Sequence, residues 1–111
     1  MIAQAKGQYI RVSPTKLRQV IDLIRGKDVA TSMVILMHAN KGCKGSIAKV
    51  LKSAVDNAKQ KGLDETQLYI SKITADSGPS WKRYRAEAFG RASVILKRTA
   101  HLKIELDLIT R

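Results

Sequence analysis

The chain has 111 residues, and its 21 Lys and Arg against 9 Asp and Glu give a formal charge of +12. That length is one domain with a modest core, and such charge repels itself in the compact state unless a polyanion neutralises it, nucleic acid first and an anionic membrane surface second. Cys43 is the single cysteine, beside only His38 and His101, so an intrachain disulfide is excluded and a Cys/His zinc site lacks ligands.

Gln8 to Val12 predicts a short strand. Ser13-Pro14 then reads as a helix start, a hydroxyl N-cap followed by proline at the first helical position. Leu17, Val20, Ile21 and Ile24 recur at i, i+3, i+4, i+7, one apolar helix face, with Lys16, Arg18 and Arg25 off it. Gly26 is the expected helix stop. Asp28 caps a second short helix, Val29 to Met37. Its Met33, Val34, Leu36 and Met37 make it apolar on more than one side, so it should be well buried, with Met33 and Met37 in the core.

Asn40-Lys41-Gly42 breaks that helix, and a third begins between Lys41 and Ser46. Ile47, Val50, Leu51, Ala54, Val55 and Ala58 form its stripe, and Gly62 ends it. Lys49, Lys52 and Lys59 share another face, which reads equally as a wet helix surface or an RNA contact.

Leu68, Ile70 and Ile73 predict a strand with an irregularity near Lys72. Leu102, Ile104, Leu106 and Leu108 alternate with Lys103, Glu105 and Asp107, the pattern of a half-buried strand, and Val94 to Leu96 extend it backwards. From Gly78 to Lys103, Lys82, Arg83, Arg85, Arg91, Lys97, Arg98 and Lys103 are accompanied by one acid, Glu87. Trp81, Tyr84 and Phe89 sit among them. Guanidinium forks match phosphates, and aromatic rings offer faces to bases. The segment is too long for a tight turn and reads as a projecting arm ordered by its partner. The outline is strand, three helices, strand, basic arm, strand.

These residues resemble the family of large-subunit ribosomal protein L twenty-two, universal uL twenty-two, of bacterial or organellar type. The resemblance is carried in order by Tyr9-Ile10-Arg11-Val12-Ser13-Pro14, Asp22-Leu23-Ile24-Arg25-Gly26, Lys49 to Ala58, Asp76-Ser77-Gly78-Pro79-Ser80, Gly90-Arg91-Ala92 and Leu96-Lys97-Arg98-Thr99-Ala100-His101. It implies an α+β fold of three helices packed on a three-stranded antiparallel sheet with a long protruding β-hairpin arm. Residues 1–111 then form a single rRNA-binding domain, with about 77–93 as the extended hairpin tip. It also implies a structural constituent of the large ribosomal subunit that binds its rRNA, assists assembly and lines the polypeptide exit tunnel with the hairpin.

The expected rRNA-binding residues are Arg11, Lys16 and Arg18 at the first helix start, where free N–H groups also favour phosphate. Lys82, Arg83, Tyr84, Arg85, Arg91, Lys97, Arg98, His101 and Lys103 belong to the arm and its root. The tunnel-lining tip is expected at Trp81, Lys82, Arg83, Glu87, Phe89 and Gly90. There the chain departs from the family, because Glu87 and Phe89 stand where cations are usual and a proline is lost. His38 and Cys43 are expected to be structural. The expected partners are large-subunit rRNA, neighbouring large-subunit proteins and the nascent peptide, with no cofactor, metal, membrane or disulfide partner.

No apolar run approaches the ~20 residues of a membrane span and no secretory signal precedes the domain, so a cytoplasmic ribosome, or an organelle stroma, is the expected location. No nucleophile–base constellation or glycine-rich phosphate loop is present, and Asp64-Glu65 is an acidic pair in a turn, so an enzyme is not expected. A stand-alone nucleic-acid regulator would need Asn or Gln on a recognition helix, and Gly78 to Lys103 contains neither. A peripheral membrane binder would place its aromatics on a basic helix, whereas here they lie in the arm.

Overall fold

The computed structural model describes residues 2–39, 44–86 and 92–109, with the backbone alone for 81–86 and 92–97. The break at Asn40-Lys41-Gly42, Cys43 and the tip residues Glu87, Phe89, Gly90 and Arg91 lie outside them. Strand β1 (Ala3–Ile10) leads to helices α1 (Pro14–Ile24), α2 (Val29–His38) and α3 (Lys44–Lys59). A short 3-10 turn (Glu65–Gln67) precedes β2 (Leu68–Ser77), β3 (Trp81–Ala86), β4 (Ala92–Lys97) and β5 (Ala100–Leu108).

Two helix starts and one helix stop follow local chemistry. The Ser13 hydroxyl accepts from the Lys16 amide at 3.4 Å, and the Asp28 carboxylate accepts from the Thr31 amide at 3.3 Å. Gly62, at φ +80°, ends α3 with the Leu63 amide bonded back to Ala58 and its own amide to Lys59, a Schellman closure.

The sheet runs β1-β5-β2, antiparallel throughout. Its central strand, β5, buries Leu102, Ile104 and Leu106 completely. Helix α3 packs on β1 and β5, α1 packs on β2, and α2 packs against both helices. Leu17, Ile21, Ile24, Ile47 and Leu51 meet that sheet face without solvent contact, and each such side chain contributes about 1.5–3 kcal/mol. Gly7 marks a close approach of β1 to α3, since a Cβ there would lie 2.6 Å from Val50 Cγ2.

Three expectations change. Strand β1 begins at Ala3 rather than Gln8 and stops at Ile10, leaving Arg11 and Val12 outside it. Its inward residues, Ala3 and Ala5, are too small to mark an apolar period, yet they pair with Leu106 and Ile104. Helix α2 is not buried all round. It inserts Val29, Ser32 and Leu36, one narrow face at helical spacing, while Val34 is 55% and Met37 70% exposed and Met33 only half-buried. The reason is layering: α2 packs mainly on α1 and α3 and reaches the sheet only at β2. Leu108 keeps the alternation but is 37% exposed at the strand end.

The irregularity near Lys72 is a bulge: pairing shifts between Ile70↔Leu106 and Lys72↔Glu105, and the Ser71 hydroxyl donates to the Glu105 carbonyl at 3.1 Å. A second bulge in β1 sets Gln8 and Tyr9 against His101, between the pairs Gly7↔Leu102 and Ile10↔Ala100. Beyond Ser77↔Ala100, pairing resumes as a separate two-stranded ribbon from Trp81↔Lys97 to Ala86↔Ala92. The molecule is accordingly long, 65 × 24 × 16 Å, with a radius of gyration of 17.0 Å against about 13 Å for a compact chain of this length.

Candidate nucleic-acid interface

The arm leaves the sheet through a tight crossing. Gly78 donates its amide to the Thr99 carbonyl at 3.0 Å, and the Thr99 hydroxyl, fully buried, donates to the Pro79 carbonyl at 2.5 Å. A Cβ on Gly78 would lie 2.5 Å from Thr99 Oγ1 and 3.2 Å from His101 Nε2, so only glycine fits there without displacement.

Beside this crossing, an open cleft of about 330 Å³ lies between the first turn of α1 and the arm root. Arg18 and Arg98 line it, with the hydroxyl residues Thr15, Ser77 and Ser80, and no carboxylate stands among its described lining residues. Guanidiniums and hydroxyls without a counter-charge suit a phosphodiester. Arg18 is also held in place: its Nε and Nη2 donate to the Ala75 carbonyl at 3.2 and 2.9 Å, which leaves other guanidinium N–H groups for a ligand.

Two of the expected RNA ligands, Arg18 and Arg98, are thus brought to one cleft from positions far apart in sequence. Lys16 is exposed in the first turn of α1, and Arg11 is exposed just after β1. Lys103 lies on the open face of the sheet, directly opposite Lys6 on β1 and 3.4 Å from Glu105. Like charges opposed across strands are unfavourable, and the Glu105 carboxylate offsets part of that repulsion at Lys103. Lys82, Arg83, Tyr84, Arg85 and Lys97 fall on the ribbon strands β3 and β4, as does Trp81. Lys49, Lys52 and Lys59 are exposed on α3. His38 is exposed, with its Nδ1–H on the Val34 carbonyl one turn back at 3.0 Å.

His101 has a neighbour that pattern reading missed. The Tyr9 amide donates to His101 Nδ1 at 3.2 Å, and the two rings meet edge to face, 5.0 Å between centroids and 87° between planes. Tyr9 has a positive φ of 57°. No sequence signal marks it, because the conformation comes from the bulge opposite His101.

Fold and cleft together define a compact α+β domain with a basic two-stranded arm. Comparison with known families agrees: residues 5–107 match the family described as ribosomal protein L22p/L17e. The large ribosomal subunit protein uL22 of Halothermothrix orenii is 50% identical over 105 residues, 94% of this chain and 93% of that protein. Its namesake from a Sulfurihydrogenibium species is 50% identical over 104 residues, 94% and 90% of the two chains. That of Syntrophus aciditrophicus is 48% identical over 108 residues, 96% and 98%. The chain belongs to the L22p/L17e family of ribosomal proteins, a family of structural proteins and not of enzymes.

Proposed function

We propose that this protein is built into the large ribosomal subunit as an rRNA-binding constituent that supports assembly, and that its arm lines the polypeptide exit tunnel beside the nascent peptide. The observation that carries the binding role is the arm-root cleft, where Arg18 and Arg98 converge with no carboxylate among the described lining residues. The mechanism is positional. The domain holds one rRNA segment at the cleft and the Lys6–Lys103 face, while the arm carries Lys82, Arg83, Arg85 and Lys97 away from the core to another. Aromatic residues Trp81 and Tyr84 add stacking partners on the same ribbon. Large-subunit relatives at half identity over nearly the whole length support the location. The finer address, bacterial cytoplasm or organelle stroma, follows whichever ribosome holds the protein.

Sedimentation of a lysate through high-salt washes tests the first part: retention on the large subunit is expected, and release into the free fraction contradicts it. A photo-crosslinking amino acid in place of Trp81 tests the second. Adducts to a stalled nascent chain are expected. Adducts to rRNA alone would restrict the arm to RNA binding.

A further inference from the structure

Tyr9 occupies a backbone region that residues other than glycine rarely take, inside the bulge of β1. A bulky residue persists there only when its surroundings hold it. What holds Tyr9 is His101, by the amide–Nδ1 hydrogen bond and the edge-to-face ring contact. Because Nδ1 accepts, the neutral imidazole carries its proton on Nε2. A Cβ built at Gly78 would lie 3.2 Å from that Nε2, so the arm root runs close beside the imidazole.

None of this buries the tyrosine, which remains 53% exposed. Whichever ring supplies the edge, His101 leaves at least one face of Tyr9 uncovered. A ring retained for packing would be covered, and a residue retained for the turn alone would be glycine. The location supplies a ligand chemistry. Lys6 and Lys103 oppose each other further along the same strand pair, and Gly78 also lines the arginine cleft.

We propose that Tyr9, propped by His101, is a stacking platform for one unpaired base of the RNA that the arm root binds. The proposal rests on the rRNA-binding reading above. A splayed base on an exposed aromatic face is the usual way proteins read single-stranded RNA, and it tolerates any base.

The test uses the full chain and large-subunit rRNA. Tyr9→Phe keeps the face, Tyr9→Leu keeps bulk and strained backbone without a π-face, and Tyr9→Gly removes ring and strain together. Tyr9→Phe is expected to bind within about twofold of the parent, and Tyr9→Leu and Tyr9→Gly roughly 5- to 100-fold more weakly. Tyr9→Gly is expected to melt no lower than Tyr9→Leu, which separates lost binding from lost folding. Ultraviolet irradiation of the parent complex is expected to join Tyr9 to one base. Parental affinity in Tyr9→Leu without a Tyr9 adduct overturns the platform. Equal losses in Tyr9→Phe and Tyr9→Leu also overturn it, in favour of a hydroxyl contact. A parent that does not bind the rRNA at all overturns the rRNA-binding reading itself.

Discussion

Arg18 grips the carbonyl of Ala75 with two donors, at 3.2 and 2.9 Å, across 57 positions of sequence. Strand β2 is a sheet edge, and its outward carbonyls need partners. Arg25 does the same one pair along, Nη1 to the Ile73 carbonyl at 2.8 Å, and the Lys27 carbonyl accepts from the Ile70 amide. The opposite edge is closed from α3 and the turn after it: Asn57 donates to the Gln4 carbonyl at 2.8 Å and Lys61 to the Ile2 carbonyl. Helix cations that look like spare RNA ligands therefore also seal the sheet against another strand.

Replacing Arg18 by Met should lower the stability of the RNA-free protein by about 1–2 kcal/mol, because a charged donor pair is lost from a half-buried carbonyl. Lys should recover only part of it, since one ammonium cannot reproduce the fork. Urea unfolding of the free protein measures both. An unchanged midpoint would show that the Arg18–Ala75 contact adds nothing to stability.

Gly78→Ala places a methyl against Thr99 and His101, where a buried hydroxyl and the imidazole ring leave little room. A loss of about 1–3 kcal/mol is expected, together with a change in the Tyr9 and His101 ring resonances. Gly45→Ala is the matched comparison. A Cβ there meets nothing within 4 Å, and a gain of up to about 1 kcal/mol is expected.

Ile104→Ala empties the centre of β5 and should cost about 2–5 kcal/mol in thermal or urea unfolding. Met37→Ala should stay within about 0.5 kcal/mol, because that side chain is mostly in solvent. A Met37 variant as costly as the Ile104 variant would restore the buried α2 that its composition suggests.

Hydrogen bonding from Thr31, side chain first and then backbone, holds the Asp28 carboxyl below its ordinary value of 3.8. The folded state therefore favours the carboxylate. This contribution is present above pH 3.8 and is lost as pH falls through the lower folded value. Asp28→Ala should melt below the parent at neutral pH, and the gap should narrow under acid. A gap constant from neutral pH to below 3 would show that the carboxylate has no preferential role in the cap.

If rRNA binding neutralises about six phosphates, the logarithm of affinity should fall with that of salt at a slope near −5. Arg98→Ala should reduce the steepness by about one. A slope unaffected by Arg98 would place the phosphate contacts elsewhere.

Much of the fold was legible in residue patterns. Ser13-Pro14 and Asp28 named two helix starts, and the stripes of α1 and α3 named faces that are in fact buried. Ile70, Lys72 and Ile73 even located a bulge, because the apolar period slips by one there. The strand at Ala3 was hidden because alanine carries too little apolar contrast, and α2 misled because composition cannot tell which side of a helix another helix will cover. At the interface, the cations were visible one by one. Their grouping was not: Arg18 meets Arg98 only because α1 packs on β2 beside the arm root.

By itself the sequence determined what local chemistry and composition control: caps, apolar periods, a charge of +12, and the motif order that marks the family. These depend on neighbours along the chain, so they survive without the fold. Tertiary structure alone decided that Arg18 closes a sheet edge, that Gly78 must be glycine beside Thr99, and that Tyr9 takes a left-handed backbone against His101. Each of these is a contact across dozens of residues, set by strand register and helix docking, and register has no signature in either segment alone.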